Sequence, residues 1–323
     1  MHLQIQVSSH DLDEIGAAVA FTGARLTSVQ AIAPDASTRR FYRLRLTGYT
    51  SLVACVYPVG EEARLDHDWA VHQWAWRRQL PVPEPLSRTA RVALSADLGE
   101  CGLEDALRHD SEAVLPATLA CMKAFQRCPP RGVPNPAFDA ALLRRELEGF
   151  ARLLDLAASA AARVGSFFDH LVGRLVQHPY RITHRDFHAN NLLLYDNRVW
   201  AVDFQDVRLG PDTYDLVSLL RERAGGEVIG DESRWCAAGA KLLRWQPGWG
   251  ERYLECAGQR GLKVLGTFLR LAQTGKQSYL AYVPTAARKT LQALHELRAP
   301  EVLTEAVARL AERNAYNRNG EEP

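Results

Sequence analysis

The spacing of hydrophobic residues divides the chain into a strand-rich first part and a helical second part. After a predicted helix over 9–21, short runs of β-forming or alternating residues separated by turn residues predict an antiparallel meander. The predicted strands cover 26–33, 39–46, 51–57 and 91–96, with a helix over 64–79 between the last two. The run PVPEP at 81–85 ends that helix, because proline lacks a backbone donor and disfavours helix in the residue before it.

From about Glu104 onward, apolar residues recur at three- and four-residue intervals, which predicts helices. The predicted helices cover 115–127, 141–162 and 166–177, and helices resume beyond two short strands near 191–194 and 199–203. The pattern therefore predicts an α+β fold with two lobes. A small antiparallel β-rich lobe covers 1–96, a hinge covers 97–100, and a large, mainly helical lobe covers 101–323.

Composition and charge are those of an ordinary soluble protein. Hydrophobic residues make up 47%, charged residues 24%, and the formal net charge is +1, which argues against a nucleic acid or an anionic membrane surface as the main partner. The six cysteines form no CxxC pair, so we expect reduced thiols, without a zinc site or disulfides.

No signal-peptide pattern is present, and no apolar run approaches the roughly 18 residues that span a bilayer. We expect a cytoplasmic protein and a monomer.

Candidate catalytic residues are concentrated between 182 and 206. His184, Arg185 and Asp186 are followed by Asn191, a tight turn is predicted at Asp196-Asn197, and the strand after it runs into Asp203. Their order resembles the catalytic and metal-binding loops of protein kinases, which transfer a phosphoryl group. That reaction requires a carboxylate beside the attacking hydroxyl, and the resemblance implies this role for Asp186. It also requires Mg²⁺ to neutralise phosphate charge, and the oxygens of Asp203 and Asn191 suit that ion. His184 is predicted to hydrogen-bond the loop backbone instead of acting as a base.

Each of these residues could instead have an ordinary structural role with no part in catalysis. A single Asp or Asn in a loop commonly hydrogen-bonds to the backbone of its own turn. The motif, the spacing and the flanking strands together are more specific than any one residue, and together they favour a phosphotransferase.

The Asp-Phe-Gly motif that protein kinases carry at the second aspartate reads Asp-Phe-Gln here. Protein kinases place a long peptide-binding segment after this aspartate, whereas GPDTYDL brings Asp215 only twelve residues after Asp203. This compact arrangement resembles the aminoglycoside phosphotransferase and choline kinase superfamily, in which the later aspartate supports the catalytic loop. The resemblance implies a protein-kinase-like fold, ATP and Mg²⁺ as cofactors, and that supporting role for Asp215.

Longer stretches resemble one family within this superfamily, the bacterial kinases that phosphorylate N-acetylmuramate and N-acetylglucosamine at the anomeric carbon in cell-wall recycling. These stretches are DASTRRFYRL at 35–44, ADLGE at 96–100, FDAALLRRELEGF at 138–150, DFQDVRLGPDTYDLVSLL at 203–220 and RGLKVLGTFLRL at 260–271. The resemblance implies that the turn at 35–44 takes the place of a glycine-rich phosphate loop, with Ser37, Thr38 or the arginines of this stretch as hydrogen-bond donors to phosphate. It also implies that Asp97, Leu98 and Gly99 form the hinge that binds adenine, although Asp97 has a turn residue as its alternative role.

One feature departs from the usual kinase, which pairs a lysine on the third strand with a glutamate on the following helix. The third strand reads LVACVYP here, no lysine precedes Lys123, and 64–79 contains no glutamate. We predict that Arg43 holds the phosphates instead; for Arg39, Arg40 and Arg43 the alternative is an exposed strand face. The missing pair also leaves open a pseudokinase that binds nucleotide or sugar without turnover.

The acceptor is predicted from charge. From Leu216 to the end, Lys and Arg outnumber Asp and Glu by sixteen to twelve, which favours a neutral or anionic acceptor over a cation. Gln205 and Asp206 are predicted to bind sugar hydroxyls, with capping as the alternative for Asp206. Trp235, Trp245 and Trp249 are interpreted as core. An aminoglycoside or other small-alcohol phosphotransferase is the alternative function.

Overall fold

A computed structural model describes residues 7–32, 38–48, 51–222 and 229–312, and its first part is built on one antiparallel sheet. The five strands are β1 (Leu26–Ile32), β2 (Arg40–Leu46), β3 (Leu52–Val56), β4 (Pro85–Arg88) and β5 (Val92–Ala96). They lie in the order β1-β2-β3-β5-β4, which confirms the meander and adds β4 as an edge strand that the sequence did not predict. The edge accommodates Pro85, because no further strand requires its missing N–H group.

Helices form most of the second part. The helices are α1 (Ser9–Val19), α2 (Glu62–Arg77), α3 (Leu103–Arg127), α4 (Ala140–Ala151), α5 (Ala158–Leu175), α6 (Tyr214–Arg221), α7 (Glu232–Leu243), α8 (Trp249–Gln273), α9 (Val283–Glu296) and α10 (Glu301–Ala311). A sheet followed by a helical part confirms the predicted α+β class. Among the helices described, none combines the length and the apolar character needed to cross a membrane.

The predicted break between 162 and 166 is wrong. The chain turns between Ala151 and Ala158, and α5 runs through Gly165 without interruption. The carbonyl oxygen of Gly165 accepts a hydrogen bond from Arg144 Nη1 at 2.7 Å, so α4 approaches α5 closely at this glycine. Apolar spacing alone does not separate a glycine that ends a helix from one that admits a neighbouring side chain.

The two parts have separate hydrophobic cores. The first lies between α1 and the sheet and includes Ile15, Leu44 and Leu94. The second fills the helical part and also contains Val71 of α2 and Trp235, which is 2% exposed. Helix α2 therefore follows the third strand in the chain yet packs against the helical part.

Two short ladders carry the loops that contain the candidate catalytic residues. Strand β6 (Tyr180–Thr183) pairs with β9 (Arg208–Pro211), and β7 (Leu192–Tyr195) pairs with β8 (Arg198–Ala201). Asp196 and Asn197 both have positive φ angles, 51° and 56°, and form the two-residue turn between β7 and β8. The predicted tight turn at these residues is confirmed, and it returns the chain toward the start of the hairpin.

We expect Gly261→Ala to destabilise the fold where α8 crosses α9. A Cβ atom at Gly261 would lie 2.9 Å from Cγ2 and 3.0 Å from Cβ of Thr290. Thr290 is buried, and its hydroxyl donates a hydrogen bond to the Ala286 carbonyl oxygen at 2.7 Å, so this side chain has little room to move. Overpacking of this kind costs about 1–3 kcal/mol of unfolding free energy. Urea unfolding measures it.

The matched control is Gly173→Ala in α5, where an added Cβ atom meets no atom within 4 Å beyond the adjacent residues and backbone of its own helix. Alanine is favoured over glycine inside a helix, so this variant is expected to be as stable as the parent or slightly more stable. Equal stability of the Gly261→Ala and Gly173→Ala variants would contradict the close contact between α8 and α9.

Candidate active site

The loop after β6 is held by two buried groups. The carboxyl oxygens of Asp215, at the start of α6, accept hydrogen bonds from the backbone N–H groups of His184 (2.8 Å) and Arg185 (3.0 Å). The ring of His184 is buried, and its Nε2–H donates to the Val202 carbonyl oxygen at 3.0 Å. Burial lowers the pKa of His184, so its ring is neutral. These bonds tie the loop to both α6 and the chain segment that leads to Asp203.

Asp186 lies among positive charges. Its Oδ1 atom accepts hydrogen bonds from Arg260 Nη2 (3.1 Å) and Lys263 Nζ (3.2 Å), both on α8. Burial raises the pKa of a carboxyl group, but the charges of Lys263, Arg260 and Arg185 outweigh that effect and hold the pKa of Asp186 well below its usual value. Asp186 is therefore an ionised acceptor that can orient a hydroxyl group.

Asn191 and Asp203 are brought together by the β7–β8 hairpin. The Val202 N–H group donates to the Asn191 carbonyl oxygen at 2.9 Å, directly before Asp203. The Asn191 side-chain Nδ2 donates to the Asp186 carbonyl oxygen at 2.9 Å, so its amide oxygen is the end left for a cation. Asp203 has a left-handed backbone (φ 58°) and a side chain that is 43% exposed.

These two residues fit Mg²⁺ by their chemistry, since one amide and one carboxylate oxygen are hard ligands of the kind it prefers. Within the described part of the chain, no three or more His, Cys, Asp or Glu side chains gather as a metal-binding group. A magnesium ion held here would therefore complete its shell with water and phosphate oxygens, as this ion commonly does.

Arg39 is a residue of the site that the sequence could not separate from Arg40 and Arg43. It lies just before β2 and is 7% exposed, with its guanidinium group near the Phe41 and Tyr57 rings. Its Nη2 donates to Asp203 Oδ1 at 2.7 Å, and its Nη1 lies 3.4 Å from Asp68 Oδ2 on α2. The alternative interpretation of Arg39 as part of an exposed strand face is therefore wrong. The sequence signal for its partner was an aspartate, not a glutamate, on the predicted helix over 64–79.

Arg43 lies at the hinge and not beside Asp203. Its Nε donates to Asp97 Oδ2 at 2.6 Å, and its Nη2 donates to the Gly99 carbonyl oxygen at 2.9 Å. Ser51 Oγ also donates to Asp97, at 2.7 Å. These contacts do not support the prediction that Arg43 holds the phosphates, because the guanidinium group is occupied by the hinge.

The hinge residues differ in what they offer a ligand. The Gly99 N–H group donates to Asp97 Oδ1 at 2.9 Å, and its carbonyl oxygen is bound by Arg43, so both backbone groups of Gly99 are used within the protein. Burial raises the pKa of Asp97, but hydrogen bonds from Arg43 and Ser51 outweigh it and lower that pKa. Asp97 therefore acts as a turn and anchoring residue, which leaves Leu98 as the candidate for adenine.

The remaining predicted residues lie in different surroundings. Thr38 is exposed, and its hydroxyl donates to Glu61 Oε1 at 3.2 Å; Ser37 lies outside the described residues. Gln205 lines the cleft. Asp206 Oδ1 is 3.0 Å from Arg185 Nη1 and 3.1 Å from Arg208 Nη2, so it is an ion-pairing residue and not a cap.

A cleft of about 850 Å³ joins these groups. Strands β2, β3 and β5 and the hinge contribute one side, and the loops around Asp186 and Asp203 contribute the other. Helix α8 adds a wall through Lys263, Thr267 and Phe268. The Asp186 carboxylate and the side-chain oxygens of Asn191 and Asp203 therefore border this space, together with cations such as Arg39 and Lys263. The cleft is large enough for a nucleotide and a small acceptor.

Residues 28–254 match the model of the phosphotransferase enzyme family. The chain belongs to this family. As a phosphotransferase, it is a kinase that phosphorylates a hydroxyl group of a small molecule. It is 32% identical over 280 residues to an N-acetylmuramate/N-acetylglucosamine kinase of Pseudomonas aeruginosa, across 77% of this chain and 79% of that relative.

Solved structures confirm the fold of the phosphotransferase. A choline kinase of Streptococcus pneumoniae is 12% identical and covers 90% of this chain and 99% of its own, with a TM-score of 0.62. The streptomycin-ATP-APH(2″)-IIa ternary complex is 10% identical and covers 93% of this chain and 99% of its own, with a TM-score of 0.60. The expected protein-kinase-like arrangement of two lobes is confirmed by these likenesses.

Proposed function

We propose that this phosphotransferase transfers the γ-phosphoryl group of MgATP to the anomeric hydroxyl of an amino sugar of the N-acetylmuramate or N-acetylglucosamine type. The observation that carries the proposal is the convergence of Asp186, Asn191 and Asp203 on one cleft, linked through the backbone contacts of Asn191. The name of the Pseudomonas relative supports the acceptor. The ATP in a neighbouring structure supports the nucleotide.

Each residue has a defined part in this reaction. Asp186 orients the acceptor hydroxyl and receives its proton as the oxygen bonds to the γ-phosphorus and the bond to the β–γ bridging oxygen breaks, so that ADP leaves. Asn191 and Asp203 would hold Mg²⁺, which when bound neutralises charge on the phosphates. His184 and Asp215 keep the loop in place, and Leu98 lies at the hinge for adenine.

The charges beside Asp186 support an acceptor that is not a cation. Lys263 Nζ and Arg260 Nη2 both donate hydrogen bonds to Asp186, the carboxylate that would face the acceptor. A polycationic aminoglycoside would meet these groups at close range, and like charges in a partly buried site repel strongly. Glu222 pairs with Arg260 and reduces this excess without removing Lys263.

A transfer assay with labelled ATP tests the proposal against N-acetylmuramate, N-acetylglucosamine, plain hexoses, choline and kanamycin. We expect transfer to the N-acetylated sugars alone, and an acid-labile product, since an anomeric phosphate hydrolyses more readily than an ordinary phosphomonoester. Transfer to kanamycin alone would favour the aminoglycoside alternative. Nucleotide binding without transfer to any acceptor would favour a pseudokinase.

A further inference from the structure

Strand β3 provides no cation to the cleft. The β3 residues Val53 and Cys55, and Tyr57 just beyond the strand, line the cleft, and none is basic. The usual kinase projects a lysine from this face of the third strand toward the nucleotide phosphates. The same region of the cleft therefore needs its positive charge from another element.

Arg39 reaches this region from the neighbouring strand. Phe41 pairs with Cys55 in the β2–β3 ladder, so Arg39, two residues earlier, lies beside the end of β3. Its Cζ atom is 5.5 Å from the Phe41 ring centre and 5.9 Å from that of Tyr57. The guanidinium group is thus held against two aromatic rings on the cleft side of the sheet.

Asp68 on α2 completes a pair with this arginine. Its Oδ2 atom lies 3.4 Å from Arg39 Nη1 and accepts a hydrogen bond from the Tyr57 hydroxyl at 2.8 Å. The Asp68 side chain is only 9% exposed, so its charge is little screened by water. Asp68 therefore provides a carboxylate on the helix after β3, and Arg39 provides a buried cation at the cleft. In the usual kinase a glutamate and a lysine form the corresponding pair.

The second contact of Arg39 joins the two parts of the molecule. Its Nη2 donates to Asp203 Oδ1 at 2.7 Å, across 164 positions of the chain. Because Asp203 is the carboxylate proposed for the metal, a nucleotide whose phosphates share that metal lies within reach of the guanidinium group. Arginine suits this position, since its planar fork binds phosphate oxygens in pairs.

We infer that Arg39, positioned by Asp68, binds the phosphate oxygens of the nucleotide, the task of the lysine–glutamate pair in the usual kinase. The inference rests on the proposed function in requiring that a nucleotide occupies the cleft. It is independent of the identity of the acceptor.

Equilibrium binding of ATP, with Mg²⁺ present, and of adenosine to Arg39→Met tests the inference without any acceptor. Methionine retains packing between the two rings but removes the charge. We expect ATP affinity to fall about ten- to a hundred-fold, as for loss of a charged hydrogen bond, while adenosine affinity changes less than about twofold. The control is Arg45→Ala, an exposed arginine on the same strand, for which both affinities should stay unchanged.

Asp68→Asn tests the positioning role. Its own loss of ATP affinity is expected to be smaller, and the Arg39→Met/Asp68→Asn double variant should bind ATP as the Arg39→Met variant does, because Asp68 acts through Arg39. Thermal unfolding checks that each variant is folded. If Arg39→Met does not fold, Arg39→Lys replaces it, with a weaker loss expected for ATP and none for adenosine.

The outcomes separate the two proposals. A parent protein that binds no adenine nucleotide would overturn the proposed function, and this inference with it. A parent that binds ATP, together with an Arg39 variant that keeps full ATP affinity or loses ATP and adenosine equally, would overturn only the role of Arg39. Additive losses in the double variant would overturn the role of Asp68.

Discussion

Asp186→Asn is expected to lower kcat by about a hundred- to ten-thousand-fold, the range for removal of a positioned acid–base group. Asparagine keeps the size of the side chain and an oxygen that can accept from Lys263, but it removes the charge that orients the acceptor hydroxyl. Nucleotide affinity should change little, since the binding of adenine and phosphates is assigned to other residues. Steady-state kinetics and ATP titration measure the two quantities separately.

The control for this variant is Asp196→Asn. Asp196 is an exposed aspartate in the β7–β8 turn with a positive φ angle that asparagine also adopts readily. Its kcat should match that of the parent. If Asp186→Asn keeps more than about a tenth of the parental kcat, Asp186 is not the group that orients the hydroxyl.

Asp203→Asn has the second largest expected effect. Loss of the carboxylate would remove one of the two proposed magnesium ligands. A metal ion contributes several kcal/mol of transition-state stabilisation, which corresponds to a fall in kcat of roughly a hundred- to a thousand-fold. The apparent affinity for Mg²⁺ should fall at the same time. Magnesium titration at saturating ATP measures that change.

Binding of ATP without a divalent ion separates this role from a general structural defect. The parent should bind metal-free ATP poorly, because Asp203 repels the phosphates, whereas Asp203→Asn should bind it as well or better. A variant that loses metal-free ATP binding as well would show that Asp203 supports the cleft instead of the metal. Asp196→Asn is again the matched control, and it should bind Mg²⁺ and ATP as the parent does.

The cations around Asp186 bear on how it acts. A base is most effective when its pKa lies near the working pH, yet Lys263, Arg260 and Arg185 hold the pKa of Asp186 well below its usual value, against the effect of burial. In the proposed reaction its contribution is therefore mainly to orient the hydroxyl, with proton transfer late, when the oxygen has already bonded to phosphorus and the proton is more acidic.

Much of the fold was predictable because the relevant patterns are local. Alternation in the first strands, apolar residues at helical spacing and the Asp196-Asn197 turn each act within a few residues of chain. The edge strand β4 was missed because Pro85 and its neighbours read as a helix stop, and only pairing with β5 makes 85–88 a strand. The predicted break between 162 and 166 was wrong for a similar reason, since Gly165 lies inside α5 and contacts Arg144 of a neighbouring helix.

The candidate site residues also divide into those that a local pattern predicts and those that only distant contacts identify. Asp186, Asn191 and Asp203 were predicted because their spacing is a motif that one hairpin brings together. The choice among Arg39, Arg40 and Arg43 could not be made from neighbouring positions on one strand. Lys263 and Arg260 were noticed only as part of a family-like stretch, because nothing in their own sequence points toward Asp186.

The sequence by itself determined the division into a strand-rich first part and a helical second part, the motif around Asp186 and the absence of a lysine from the third strand. Only the tertiary structure decided that Arg39 faces Asp203, that Arg43 is used by the hinge, and that α8 brings Lys263 to Asp186. The physical reason is chain separation. Side chains 164 positions apart, such as Arg39 and Asp203, meet only when two lobes with separate cores pack together, and periodicity within either lobe carries no information about that contact.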